Sequence, residues 1–227
     1  MLYTESSVRD NLRNRDGKRV FYLGKGDTLT AGARDWLRRE RIEILPAEKA
    51  RPDRFRLVGG GFMEEKPEHM THLDAQTLVP KTHPRIAFRG SMDTLESVLI
   101  LAQLACPGAT AEKLEEVLQL ARRIIRCDVL EEPVGDAPLC GLTQEQLRQY
   151  SHRPQEYCGV AHFMPSASLG EAMAWLNRAR CAAREAELRA VEAFSDREGE
   201  PTRLDILRAM NRMSSMLYIL MIEQKGM

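Results

Sequence analysis

The chain has 227 residues, 43% of them hydrophobic, which is enough for one full core and a small appendage. Its 33 basic residues balance 33 acidic ones, so no global field draws it to nucleic acid or anionic lipid, and any anion it binds must be held locally. The longest apolar runs, LESVLILAQLA and MLYILMI, are too short to span a bilayer, and the opening MLYTESSVRDNL has no apolar signal core, so a cytoplasmic protein is expected.

Residues 18–46 read as strand, helix, strand. RVFYLG is rich in β-formers, TAGARDWLRRER opens on a capping Thr30, and IEILP stops at Pro46. Residues 1–46 are therefore expected to form a small α+β segment. Between Ala47 and Pro84 the prolines, the triplet Gly59, Gly60, Gly61 and the lack of periodicity predict a linker or flap over 47–84.

Long helices follow over 85–227. AEKLEEVLQLARRIIRCDVL puts Leu114, Val117, Leu118, Ala121 and Ile125 on one face, with Thr110 as N-cap after the Pro107–Gly108 break. TQEQLRQYSHR carries a capping box from Thr143 to Gln146, and SLGEAMAWLNRARCAAREAELRAVEAF another from Ser168 to Glu171. A last helix is expected over about 203–222. Hiding these stripes calls for a helical bundle. The cysteines Cys106, Cys127, Cys140, Cys158 and Cys181 are odd in number and never form a CxxC pair, which favours buried free thiols over disulfides or a zinc site.

The residues that break the apolar pattern carry the functional reading. Arg180, Arg184 and Glu187 share one helical face at i, i+4, i+7, ringed by Ala179, Ala182, Ala183, Ala186 and Ala190. The row reads either as a solvated charged face or as a stripe holding phosphate or carboxylate. Asn211, Ser214, Ser215 and Tyr218 form a polar stripe on the last helix, able to bind a nucleotide or to bond neighbouring helices. Asp93, after Gly90 and Ser91, is positioned to open a helix or to fix an arginine. Lys81 and Arg85, around Pro84, are ordinary surface cations or contacts for a phosphate chain.

The run KTHPRIAFRGSMDTLES resembles the KxxPRxAxxGxxDxLxS signature of the PduO-type ATP:cob(I)alamin adenosyltransferases, with Lys81, Pro84, Arg85, Ala87, Gly90, Asp93, Leu95 and Ser97 in register. ARCAAREAE resembles that family's ARTxxRRAER, and MNRMSS its INRLSD, bringing in Asn211 and Arg212. TLTAGARDWL, THLDAQTLVPKTHPR, RCDVLEEP, HFMP and LDILRAMNRMSS extend the resemblance to the ethanolamine-utilisation, EutT-type branch. That branch often has a His and a CCxxC cluster ahead of THL. Here the stretch reads LVGGGFMEEKPEHMTHL, leaving His69 and His72 as a lone HxxH, and no metal site is assigned. YLGKGDTLT, with Lys25, Gly26 and Asp27, echoes the family's phosphate loop weakly and lies far upstream of Lys81.

The resemblance implies a mainly α fold, a cobalamin adenosyltransferase-like helical bundle of about five helices with a small N-terminal α+β segment. It implies transfer of the 5′-deoxyadenosyl group of ATP to cob(I)alamin, with triphosphate leaving. Asp93 paired with Arg180, and Phe163 as the wedge that excludes cobalt's lower ligand, are its catalytic residues. Lys81, Arg85, Arg184, Glu187 and Asn211 are its ATP-binding residues. ATP, Mg2+ and cobalamin are the small molecules implied, and a homo-oligomer the assembly. Ethanolamine ammonia-lyase or a bacterial microcompartment is the implied association, and nucleic acid and membrane are not partners. The alternative is a non-catalytic corrinoid- or nucleotide-binding helical module, a carrier or sensor.

Overall fold

The computed structural model describes residues 1–49 and 55–226, in two compact units, Met1–His83 and Pro84–Met227. In the first, β1 (Leu2–Tyr3), α1 (Glu5–Asp10), β2 (Arg13–Arg15), β3 (Lys18–Leu23), β4 (Thr28–Leu29), α2 (Ala31–Arg39) and β5 (Glu43–Pro46) follow in order. Thr30 caps α2 as expected, its hydroxyl accepting the Ala33 N–H. β3 and β5 pair in parallel, the arrangement a strand-helix-strand run requires. Val8, Phe21, Ala33, Trp36 and Leu37 are buried together beneath the two helices.

The stretch expected as a linker is instead part of the sheet, apart from residues 50–54, which lie outside the described residues. It contributes β6 (Phe55–Leu57), β7 (Phe62–Met63), β8 (Met70–His72) and β9 (Thr77–Pro80), and the seven-stranded order is β5-β3-β2-β7-β6-β9-β8. Strands of two to four residues are too short to print an alternating pattern in sequence, and the pairing of β2 with β7 comes from far along the chain. Gly61 makes that junction possible. It sits at φ 86°, and a Cβ there would lie 2.7 Å from the Leu12 carbonyl oxygen, which accepts the Phe62 N–H.

The second unit is an α-helical bundle: α3 (Pro84–Ala105), α4 (Ala109–Leu130), α5 (Gln144–His152), α6 (Pro154–Cys158), α7 (Gly170–Ala193) and α8 (Leu204–Gly226). α7 packs against both α3 and α8, and α4 against α3. The alanines expected to let a neighbour approach α7 do so: Ala179, Ala182, Ala183, Ala186 and Ala190 are all buried. Phe88, Met92, Leu95 and Leu99 present one fully buried face of α3, each side chain contributing ~1.5–3 kcal/mol by burial. Phe88 meets Phe194 edge to face at 5.4 Å.

Three helix starts differ from expectation. α3 begins at Pro84, whose fixed φ and missing N–H suit the first helical position, so Asp93 lies well inside the helix and caps nothing. Gly108, at φ 77°, replaces Thr110 as the N-cap of α4, and Thr110 is buried in the first turn. α7 begins at Gly170 without a side-chain cap, because its N-cap is Leu169 rather than Ser168, whose hydroxyl bonds Ser166 instead. The Thr143–Gln146 capping box of α5 is made in both directions. All five cysteines are free, yet only Cys106 and Cys127 are buried; Cys140, Cys158 and Cys181 are partly exposed. Burial pushes the Cys140 thiol up to about 12.

Candidate functional site

A cleft of about 670 Å³ opens in the helical unit where α7 and α8 face the loop after α6. The inward alanines of α7 leave Asn177, Arg180, Cys181, Arg184 and Glu187 along its exposed edge, and all five line the cleft. The expected polar stripe of α8 forms the facing wall, with Asn211, Ser214, Ser215 and Tyr218. The loop segment His162, Phe163, Met164, Pro165 closes one end. Five of the eight residues expected at the site, Phe163, Arg180, Arg184, Glu187 and Asn211, therefore meet around one cavity.

Glu187 and Asn211 are joined directly, the Asn211 side-chain amide donating to Oε1 of Glu187 at 2.9 Å. The Asn211 Oδ1 in turn accepts from the Arg212 guanidinium, and its carbonyl accepts from the Ser215 hydroxyl. This relay fixes the amide orientation and ties α7 to α8. Arg184 is exposed at the rim, and among the described residues it makes no ion pair.

Arg180 lies over the face of Tyr218, with the guanidinium carbon 5.1 Å from the ring centroid. Its Nε is buried with no hydrogen-bond partner among the described residues. A buried donor left unsatisfied costs about 1–3 kcal/mol, so this Nε is a group that a hydrogen-bond acceptor in the cleft would stabilise. Tyr218 is itself fixed. Nε2 of His162 faces the His152 carbonyl at 3.3 Å, which calls for a donor there, and Nδ1 is hydrogen-bonded to the Tyr218 hydroxyl at 2.9 Å. Phe163 stacks on Tyr218 at 6.3 Å with the Lys225 ammonium 4.4 Å from its centroid, while the adjoining Met164 is 87% exposed.

The remaining expected residues lie elsewhere. Asp93 is exposed on α3 and makes no ion pair among the described residues, so the expected Asp93–Arg180 pair is not formed within the chain. The reason is register, since the buried face of α3 is set by Phe88, Met92, Leu95 and Leu99 and turns Asp93 outward. Arg85, expected at the phosphate chain, is engaged inside the helical unit. Its Nε donates to Oδ1 of Asp128 at 2.8 Å and its Nη2 to the Asp128 carbonyl at 2.7 Å, while Arg89 donates to Oδ2 at 2.7 Å. Asp128 is fully buried, so the two arginines neutralise it and lock α3 to α4. Lys81 belongs to the other unit, exposed just beyond β9, with its N–H bonded to the His69 carbonyl.

Asp128 was legible in principle: it falls seven residues after Ala121 on the buried stripe of α4, a carboxylate where an apolar side chain belongs. Tyr218 belongs to the polar stripe already legible on the last helix, but its contact with His162, 56 residues away, had no comparable signal, because only the folded loop brings the two together. Among the described residues no group of three or more His, Cys, Asp or Glu could hold a metal ion. His72 packs edge to face on Phe55 at 5.4 Å.

Fold and site define a helical bundle whose cleft offers two arginines, an amide-carboxylate pair and stacked rings, a lining suited to an anionic ligand that also carries ring systems. The family model for cobalamin adenosyltransferase matches residues 62–224, and the chain belongs to that family. Over 158 residues it is 37% identical to the corrinoid adenosyltransferase EutT of Escherichia coli K12 and 35% identical to that of Salmonella typhimurium LT2. Both alignments cover 70% of this chain and 59% of the relative, so the chain spans just under three fifths of those proteins' length. In fold it is similar to a variant PduO-type ATP:corrinoid adenosyltransferase from Lactobacillus reuteri complexed with cobalamin and ATP, with a TM-score of 0.50 and 23% identity. That likeness covers 69% of this chain and 89% of the other.

Proposed function

We propose that the protein transfers the 5′-deoxyadenosyl group of ATP to the cobalt of a reduced corrinoid, releasing triphosphate. One observation carries the reading. Arg180, Arg184, Glu187 and Asn211, from two separate blocks that match the family, line one cleft together with Phe163. Attack by cobalt(I) on C5′ breaks the carbon–oxygen bond to a highly charged leaving group, so positioning and charge stabilisation matter more than proton transfer. Arg184 offers a bidentate contact to phosphate, and Lys81 is assigned the same role on its motif alone. Asn211 and Glu187 orient the nucleotide. Among the described residues Glu187 is the one carboxylate lining the cleft, which fits a Mg2+ ion brought in on phosphate oxygens and holding most of its water. When bound, that ion would supply charge neutralisation at the triphosphate.

Phe163, at the mouth of the cleft, is assigned as the wedge against cobalt's lower ligand. A homo-oligomer is part of the proposal. Its support is the outward face of α3, where Asp93 shares a stripe with Ile100 and with Leu104, which is 79% exposed. Asp93 then meets an arginine of a second copy. Service to ethanolamine ammonia-lyase, beside or within a microcompartment, is part of the proposal and rests on the resemblance to the EutT-type branch. No helix among the described residues is long and apolar enough to cross a membrane.

The test mixes the protein with MgATP and chemically reduced cobalamin under anaerobic conditions and follows the visible spectrum. Growth of the adenosylcobalamin band is expected, reduced at least a hundredfold in Arg180→Ala. A flat spectrum with the unaltered protein would end the proposal.

A further inference from the structure

Beside the cleft, α5 and α8 enclose a second concavity of about 720 Å³ in the same helical unit. Its lining includes Arg148 from α5 and Arg208 and Arg212 from α8. Arg208 and Arg212 are one turn apart, so their side chains share a stripe, an arrangement that is unfavourable for like charges. Burial, then the nearness of Arg148, pull the Arg212 pKa below its usual value. Among the described residues none of these three arginines makes an ion pair. Arg153, on the same rim, pairs with Glu156 at 3.6 Å. Glu145, the one carboxylate of the described residues in the groove lining, accepts the Gln149 amide at 3.0 Å.

We propose that Arg148, Arg208 and Arg212 form a second anion site that takes a condensed phosphate, such as inorganic triphosphate or the triphosphate tail of a nucleotide. The charge density argues for this class. Glu187 lies near enough to Arg212 to favour its charge, yet three guanidiniums with no ion pair among the described residues around one groove match several adjacent phosphoryl charges better than a single carboxylate, and guanidinium forks bind phosphate oxygens bidentately. Arg212 is already oriented, donating to the Gln144 carbonyl at 3.3 Å and to Asn211. The site also adjoins the cleft. His152 lines both cavities, and the Arg212–Asn211–Glu187 relay runs from one to the other. A chain with balanced charge has no global field to draw in a nucleic-acid backbone.

The proposal is separable from adenosyl transfer, because binding can be read without corrinoid. The experiment titrates the full chain calorimetrically with inorganic triphosphate, and separately with a non-hydrolysable ATP analogue, at low and moderate salt. Triphosphate is expected to bind with an affinity that falls steeply with salt. Arg148→Gln with Arg208→Gln should weaken it at least tenfold with an unchanged melting curve, and Arg208→Lys should restore part of the loss. If the double variant weakens the analogue as well, the groove holds a nucleotide tail; if it weakens triphosphate alone, the groove holds the free anion. Either result supports the site. No triphosphate binding, or binding untouched by the double variant, overturns it. An intact triphosphate site in a protein that makes no adenosylcobalamin would sink only the catalytic reading.

Discussion

The side-chain amide of Asn211 on α8 donates to the carboxylate of Glu187 on α7 at 2.9 Å, and Arg212 holds the other end of that amide. Replacing Asn211 by aspartate removes the donor and sets two carboxylates face to face. The KM for ATP is expected to rise at least tenfold in Asn211→Asp, with cobalamin affinity little changed, because the perturbed pair is on the nucleotide side of the proposed site. Steady-state kinetics with each substrate varied in turn checks this. A KM for ATP within twofold of the unaltered protein would remove the pair from nucleotide binding.

Phe163 is half-buried between Tyr218 and Lys225, so its ring is held in place at the cleft. Phe163→Ala should spare adenosylation of chemically prepared cob(I)alamin within about threefold but lower turnover of cob(II)alamin plus reductant at least tenfold, since only the latter requires removal of the lower ligand. Equal losses in both assays would reject the wedge and make Phe163 a packing residue.

Asp128 is buried without exposure and satisfied by two arginines. Removing it strands two guanidiniums, which costs about 3–5 kcal/mol for a broken buried pair. Asp128→Ala should therefore lower the urea midpoint markedly. A loss under 1 kcal/mol would show that the clamp is not structural. Arg85→Ala should likewise act on stability before it acts on the KM for ATP.

The Arg203 guanidinium, with help from the Val134 N–H, holds the Asp205 carboxyl down to about 2. A carboxylate whose pKa is depressed by folding stabilises the fold above its unfolded pKa and loses that contribution as pH falls through its folded one. The window is thus roughly pH 4 to 2. Allowing for partial solvent exposure, the contribution is about 1–2 kcal/mol. Asp205→Asn should flatten that part of the stability profile, measured by denaturant titration at stepped pH. A profile parallel to that of the unaltered protein would refute the assignment.

Much of the bundle was legible because its helices carry local signals. The Thr143 box and the alanine face of α7 are properties of a few neighbouring residues, and both are built as expected. The polar row Arg180, Arg184, Glu187 had two readings from spacing, solvated face or ligand-facing stripe; the α8 stripe opposite it decides that the row lines a cleft. Arg85 shows the converse. Its motif position suggested phosphate, but its partner Asp128 lies 43 residues away, and no local pattern announces that distance. The strands β6 to β9 fall where the sequence predicts a linker, because each is too short for periodicity and is defined only by its pairing.

By itself the sequence determined the helical class, most helix locations, the family and the residue types at the site, because capping, periodicity and motif order depend on residues near one another in the chain. Only the tertiary structure decided which charges are spent inside the fold and which face a cavity. It assigned Arg85 and Arg89 to Asp128, turned Asp93 outward, and gathered Arg180, Glu187, Asn211 and Tyr218. The physical reason is that a buried charge must find its partner wherever the packed helices bring one, and the register of α3, α4, α7 and α8 sets that choice.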